Sequence, residues 1–128
     1  MKYLLDTNII IYFLGEFSLS NNALGRIDSI CRDEQNISII TKLELLGFNF
    51  TSTTNEIETI DFVTKSIIYP IIPDIEIQTI KIRKSLKIKM ADAIIAATAL
   101  THGLTLLTRN IDDFDHVEGL IIENPFEW

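Results

Sequence analysis

The feature that most constrains the fold of this chain is the alternation of short apolar segments with longer segments of helical periodicity. The short segments at residues 2–5, 36–40, 104–108 and 120–122 are predicted to be strands, and residues 68–72, interrupted by Pro70, are a poor edge strand at best. Helical patterns occupy residues 8–14, 23–31, 41–50, 55–67, 74–85 and 91–101. Parallel strands need long crossover connections, which are usually helices. The order therefore predicts an α/β fold, with helices on both faces of a short central parallel sheet.

The spacing of apolar residues in the helical segments predicts which faces are buried. In the fourth helical segment, Ile57, Ile60 and Val63 are expected to face the core. In the fifth, Ile77 and Ile80 are expected to do so. The polar and charged residues of these helices would then face solvent.

Length and composition predict one domain over residues 1–128. The hydrophobic fraction of 47% fits a sizeable core and excludes a disordered chain. No apolar run approaches the ~20 residues of a membrane span, and the start lacks the pattern of a signal peptide. Cys31 is the single cysteine, so no internal disulfide can form. A reducing cytoplasm is the expected location.

Acidic residues recur where predicted strands end and the next helices begin. Asp6 follows the first strand between two apolar runs, Glu44 lies four residues past the second strand, and Asp92 opens a helix. The pair Asp112 and Asp113 follows the fourth strand. Ligands of parallel sheets bind at the carboxyl ends of the strands, so these acids are expected to converge there. Burying such carboxylates costs several kcal/mol each unless a partner such as a divalent cation is present.

Each acid also has a purely structural interpretation. Asp6 could accept from the amide of Asn8 in an Asx-turn. Glu44 could reach back to the amide of Thr41 in a capping box, and Asp92 could be the N-cap of its helix. The Asp112–Asp113 pair could lie in a solvated loop. These alternatives do not explain together why acids from four segments fall on one edge of one sheet.

The charge distribution bears on nucleic-acid binding. A net charge of −7 argues against a general nucleic-acid binder. However, five of the eleven basic residues lie between positions 81 and 89, directly before Asp92. This stretch is either a solvated helix face or a surface for RNA phosphates, for which the candidates are Lys84, Lys87 and Lys89.

Four stretches resemble, in order and spacing, the signatures of one family: LLDTNIIIYFL (4–14), TKLELLGF (41–48), MADAIIAATAL (90–100) and LLTRNIDDF (106–114). The family is that of the PIN-domain ribonucleases, and in particular the VapC-like toxins of type II toxin–antitoxin modules. The resemblance implies a PIN-like three-layer fold and RNA cleavage that depends on Mg²⁺ or Mn²⁺. It also implies a VapB-like antitoxin and a homodimer, with tRNA among the candidate substrates.

The family's acidic residues match Asp6, Glu44, Asp92 and Asp113. At the fourth position Asp113 is preferred to Asp112, with Asn110 in a supporting role. Oxygen-only ligands favour hard cations such as Mg²⁺ and Mn²⁺, and no zinc-like spacing of His or Cys occurs. Asp6 and Asp92 are predicted to ligate directly; Glu44 and Asp113 act through water, orient the nucleophile or hold a second ion. The side chains predicted to orient these carboxylates are those of Thr7, Asn8, Thr108 and Asn110.

Three rival functions are weaker. A haloacid-dehalogenase-like phosphatase needs a second carboxylate two residues after the first, and Asn8 stands there. A response-regulator receiver needs an acidic pair at the first strand and a lysine after a late strand, where this chain has Arg109. A PIN-like domain that binds RNA or protein without cleavage would not require the acids.

Overall fold

A single parallel sheet forms the centre of the computed structural model, which describes residues 2–15 and 18–128; Met1, Glu16 and Phe17 lie outside the described residues. The strands are β1 Tyr3–Leu5, β2 Asn36–Ser38, β3 Ile67–Tyr69, β4 Thr105–Leu107 and β5 Ile122–Glu123. Their order across the sheet is β3-β2-β1-β4-β5, and every neighbouring pair is parallel. The predicted parallel α/β fold is confirmed.

Helices connect the strands and cover the sheet. They are α1 Thr7–Gly15, α2 Asn21–Asp33, α3 Ile39–Leu46, α4 Thr53–Lys65, α5 Pro73–Ser85, α6 Met90–His102 and α7 Ile111–Phe114, followed by a 3₁₀ helix, Pro125–Glu127. Helix α6 ends at Gly103, whose positive φ of 65° suits a residue without a Cβ. Among the described residues, no helix is both long and apolar enough to cross a membrane.

Alternate residues of the central strands enter two separate cores, as the pleat of a strand requires. Leu4 and Leu106 pack with residues of α5 and α6 on one face of the sheet. Leu5 and Leu107 pack with residues of α1, α2 and α4 on the other face. The molecule is therefore built in three layers, as predicted.

The transition from β2 to α3 differs from the prediction. The strand expected over 36–40 ends at Ser38, and α3 begins at Ile39. The Ser38 hydroxyl caps this helix, accepting from the amides of Ile40 at 2.9 Å and Thr41 at 3.4 Å. Because Ser38 is the N-cap, the helix begins at Ile39, and the β-branched residues Ile39 and Ile40 are helical although they were predicted to be in the strand.

Helix α4 buries a different face from the one predicted. Ile57 is 60% exposed and Ile60 is also exposed, so both predictions are wrong. The buried residues are Thr59, Phe62 and Val63, of which only Val63 was expected. Spacing alone does not decide between them, because apolar residues lie on two sides of this helix, with Ile57 and Ile60 on one and Phe62 and Val63 on the other.

Helix α5 shows the same difference. Ile77 is 54% exposed and Ile80 is exposed, whereas Ile75 and Thr79 are buried. In both helices a threonine occupies a core position because its hydroxyl donates to the carbonyl four residues earlier, at 2.8 Å for Thr59 and 2.7 Å for Thr79. With its hydrogen bond made, a buried hydroxyl costs little.

The sheet order creates a crevice at the carboxyl ends of β1 and β4. After β1 the chain proceeds to β2 and β3 on one side, whereas β4 and β5 lie on the other. Connections therefore diverge between β1 and β4, which is where ligands bind in open α/β sheets. The residues that follow these strands are Asp6 and Thr108.

Candidate active site

Asp6 is held rigidly in the crevice. Its amide donates to the carbonyl of Leu107 at 3.0 Å, which continues the β1–β4 ladder past the strand end. One carboxylate oxygen accepts from the Thr7 amide at 2.9 Å, and the other accepts from the Thr108 hydroxyl at 2.8 Å. The side-chain orientation is therefore set by both neighbouring elements.

The environment of Asp6 disfavours its charge. The residue is only 6% exposed, and burial raises the pKa of its carboxyl to about 6. The hydrogen bonds from Thr108 and Thr7 oppose that rise, while the nearby charges of Asp92 and Glu44 add to it. The Asp6 charge thus lies in an acidic and weakly solvated place.

Asp92 is half-buried in the first turn of α6. The N-cap of this helix is Lys89, whose side chain makes no capping hydrogen bond, so the N-cap interpretation of Asp92 is wrong. Burial raises the pKa of the Asp92 carboxyl, and Asp113 and Glu44 raise it further. Lys89 acts in the opposite direction. The like charges outnumber the single cation that opposes them.

Glu44 extends from α3 toward the start of α1. One of its carboxylate oxygens accepts from the Thr7 hydroxyl at 2.6 Å, a length typical of hydrogen bonds to an ionised acceptor. The capping-box interpretation of Glu44 is wrong, because Ser38 caps α3 and Thr41 already lies inside the helix. Thr7 therefore contacts two of the candidate acids, Asp6 through its amide and Glu44 through its hydroxyl.

The fourth segment is the loop and short helix after β4. The backbone amide of Asn110 donates to the Thr108 hydroxyl oxygen at 3.0 Å. Asn110 is the N-cap of α7, and its side chain makes no capping hydrogen bond. Asp112 and Asp113 are both exposed. Of the two, Asp113 is the one whose charge raises the pKa of Asp92.

A cavity of about 310 Å³ adjoins this group of acids. Its lining includes Lys87, Lys89, Asp92, Asp112, Asp113 and His116. Lys84 does not line it; that side chain lies on a larger apolar cavity, of about 530 Å³, formed by α5 and α6. The structure thus places Lys87 and Lys89 beside the acids and Lys84 apart from them.

The four candidate acids have properties that suit a divalent cation. No ion pair between described residues involves Asp6, Glu44, Asp92 or Asp113, although the charge of Lys89 acts on Asp92 from a longer distance. Protein charges therefore offset the mutual repulsion of these acids only in part. Within residues 2–15 and 18–128, no three His, Cys, Asp or Glu side chains are already grouped closely enough to hold one ion. Glu44 and Asp113 are exposed, so both can change rotamer without disturbing a core. The donor set fits a hard cation.

Two other observations concern residues near the site. Asn8, predicted to orient a carboxylate, is exposed, and no hydrogen bond among the described residues involves its side chain. Arg109, to which no role was assigned, donates to the Tyr12 hydroxyl at 2.9 Å, and its guanidinium lies 4.3 Å from the ring centroid of Phe126. In the sequence, the only signal for Arg109 is that a basic residue without an assigned role directly follows Thr108.

Comparisons with known proteins agree with this architecture. The PIN domain family matches residues 3–120. Ribonuclease VapC2 of Rickettsia felis is 30% identical over 135 residues, spanning 97% of this chain and 98% of that protein. The chain therefore belongs to the PIN-domain family. Within that family it is similar to VapC proteins along nearly its whole length.

Solved structures of toxin–antitoxin complexes contain chains with the same fold as this one. The crystal structure of VapBC2 from Rickettsia felis bound to a promoter DNA fragment has a chain that matches with a TM-score of 0.79 and 25% identity, covering 97% of this chain and 98% of that one. A toxin–antitoxin complex from Klebsiella pneumoniae matches with a TM-score of 0.73 and 30% identity, at 97% and 98% coverage. The likeness thus extends over the whole described fold.

Proposed function

We propose that this chain is an Mg²⁺- or Mn²⁺-dependent endoribonuclease and the toxin of a toxin–antitoxin pair. The observation that supports the proposal is the mutual influence of acids from four segments. Burial raises the pKa of Asp6 and the charges of Asp92 and Glu44 add to that rise, while burial and the charges of Asp113 and Glu44 raise the pKa of Asp92. RNA as the substrate is supported by the relative from Rickettsia felis, which is a ribonuclease.

In the proposed mechanism, Asp6 and Asp92 ligate the cation directly. Each Asp6 oxygen accepts one protein hydrogen bond and keeps lone pairs for another ligand. Glu44 and Asp113, at the exposed rim, act through water, orient the attacking water or hold a second ion. When bound, the cation neutralises the acids, stabilises charge on the phosphate and helps to deprotonate the nucleophile. Thr7 and Thr108 hold the carboxylates in place; Asn110 supports Thr108.

The cavity beside Asp92 is the proposed position of the RNA backbone. Lys87 and Lys89 line it together with Asp113, so a phosphate bound by these lysines lies next to the acids. Lys84, which lines the cavity formed by α5 and α6, belongs to the proposed RNA surface only as a more distant contact. Residues 81–89 contain five basic and no acidic side chains, so this segment is locally positive although the chain as a whole is acidic.

The proposed partners are RNA, with tRNA among the candidates, a VapB-like antitoxin and a second copy of the chain. Support for the antitoxin comes from the VapBC complexes that this chain resembles in fold and length. Residues 1–128 are proposed to form a single PIN domain, in line with the family match over 3–120. The absence of a possible disulfide supports a cytoplasmic location.

The test is an RNA cleavage assay with the purified chain, using a tRNA pool and a generic single-stranded RNA. Cleavage should require Mn²⁺ or Mg²⁺ and stop on addition of EDTA. Asp6→Asn and Asp92→Asn should each abolish it, because each removes a charge that holds the cation. A matched control is Asp33→Asn, which neutralises an exposed acid at the end of α2.

Two outcomes would contradict the proposal. Equal cleavage by the wild type and Asp92→Asn would assign the activity to a contaminant or to other residues. RNA binding without cleavage at any metal concentration would favour the rival function, a PIN-like domain that binds without cutting. The Asp33→Asn control should match the wild type in either case.

A further inference from the structure

A buried hydroxyl on α3 completes a hydrogen-bonded chain that leads to Glu44. The Thr41 side chain is 0% exposed, and its hydroxyl oxygen lies 3.1 Å from that of Thr7. The Thr7 hydroxyl lies 2.6 Å from the Glu44 carboxylate. Thr41 has no other side-chain hydrogen bond among the described residues. Its single contact therefore points toward the proposed catalytic acid.

The direction of both hydrogen bonds follows from counting protons. An ionised carboxylate only accepts, so the Thr7 hydroxyl must donate its one hydrogen to Glu44. Thr7 then has no hydrogen left for Thr41. In the 3.1 Å contact, Thr41 must be the donor and Thr7 the acceptor. The order is Thr41 to Thr7 to Glu44.

The position of Thr41 explains why its hydroxyl is available for this contact. Four other threonines of the described chain, each beyond the first turn of its helix, donate to the carbonyl four residues earlier: Thr59, Thr64, Thr79 and Thr98. Thr41 lies in the first turn of α3, and residue 37 belongs to β2. Its hydroxyl is thus directed across to α1.

We propose that Thr41 is a positioning residue, which sets the Thr7 hydroxyl so that its hydrogen points at Glu44. The proposal rests on the proposed ribonuclease function for its kinetic consequence and on geometry for its structural one. Because the backbone amide of Thr7 also donates to Asp6, these hydrogen bonds link the positions of two acids from two segments. Removing the Thr41 hydroxyl should leave Glu44 less well oriented.

The kinetic test compares Thr41→Val, which keeps the shape but lacks the hydroxyl, with Thr41→Ser, which keeps the hydroxyl. Thr41→Val should lower kcat about tenfold with KM unchanged, and Thr41→Ser should stay close to wild type. The matched control is Thr98→Val, which removes an equally buried hydroxyl that bonds only to its own helix. In the Glu44→Gln background, Thr41→Val should have no further effect.

A second measurement does not depend on activity. In the metal-free protein at a fixed pH, the ¹³C resonance of the Glu44 carboxyl should shift in Thr41→Val and not in Thr41→Ser or Thr98→Val. In the wild type, the Thr41 hydroxyl proton should exchange slowly and show an NOE to Thr7, a result obtainable even if Thr41→Val does not fold.

Two results would overturn the positioning role. Equal losses in Thr41→Val and Thr41→Ser would show that packing matters and the hydroxyl does not. An unshifted Glu44 resonance in folded Thr41→Val would show that Thr41 does not act on Glu44. If the wild type cleaves no RNA but the resonance shifts as expected, the proposed function fails and the positioning role stands.

Discussion

Replacing Asp6 by Asn should stabilise the metal-free protein at neutral pH. The folded-state pKa of about 6 lies above the ordinary value of 3.8. Between these pH values the native state therefore binds more protons than the unfolded state, and the free energy of unfolding falls as the pH rises. Above pH 6 the penalty is complete, at about 3 kcal/mol for a shift of about two units. An amide avoids this penalty because it carries no charge.

The gain should be smaller than the full penalty, because the amide changes the hydrogen bonds. Its oxygen can still accept from the Thr7 amide, but its NH₂ group faces the Thr108 hydroxyl, which must then accept instead of donate. We expect Asp6→Asn to be about 1–3 kcal/mol more stable than wild type at pH 7.5. The advantage should shrink as the pH falls through 6 and vanish near pH 4.

The assay is urea unfolding in EDTA at several pH values from 4 to 8, followed by circular dichroism. The difference between variant and wild type isolates Asp6 from the other titrating groups. Adding Mn²⁺ at pH 7.5 should stabilise the wild type and leave Asp6→Asn unchanged, because ligands stabilise the state that binds them. A difference that is independent of pH, or a variant less stable than wild type at pH 8, would refute the reasoning.

Three further predictions concern the rim of the site and the C-terminus. Glu44→Gln should reduce cleavage about a hundredfold in steady-state assays, and near-wild-type turnover would remove Glu44 from the site. Lys84, Lys87 and Lys89 can be changed together to Gln in an Asp6→Asn background. The slope of log RNA affinity against log salt concentration should then become shallower by roughly 0.7 per lost phosphate contact. Superimposable slopes would show that the RNA binds elsewhere. Phe126→Ala should lower the free energy of unfolding in urea by about 1–3 kcal/mol, because it removes ring contacts to Tyr12 and to the Arg109 guanidinium. An unchanged urea midpoint would show that these contacts are not stabilising.

The strand and helix alternation was sufficient to predict the parallel three-layer fold. Short apolar strands separated by helices permit few other arrangements, since a crossover helix must lie on a face of the sheet. The same logic placed Asp6 and Asp92 at one edge. In the structure burial raises the pKa of Asp6 and the charges of Asp92 and Glu44 add to that rise, so these segments lie near one another. Local pattern and connection rules were enough for this much.

Only the tertiary structure decided which faces of α4 and α5 are buried. The periodicity of isoleucines favoured Ile57, Ile60, Ile77 and Ile80, yet Thr59 and Thr79 take core positions. Apolar residues lie on more than one side of each helix, so their spacing alone does not identify the buried face. The packing against the sheet then selects the face, and a threonine bonded to its own helix can enter the core at little cost.

The hydrogen-bond partner of Glu44 was likewise decided by the tertiary structure. The local sequence from Thr41 to Glu44 has the form of a capping box, but Ser38 begins the helix three residues earlier and leaves both side chains free for Thr7. Thr7 lies 34 residues before Thr41 in the chain. A hydrogen bond over that separation depends on how α1 and α3 pack at the sheet edge, because a local pattern identifies which groups can bond but not which groups meet.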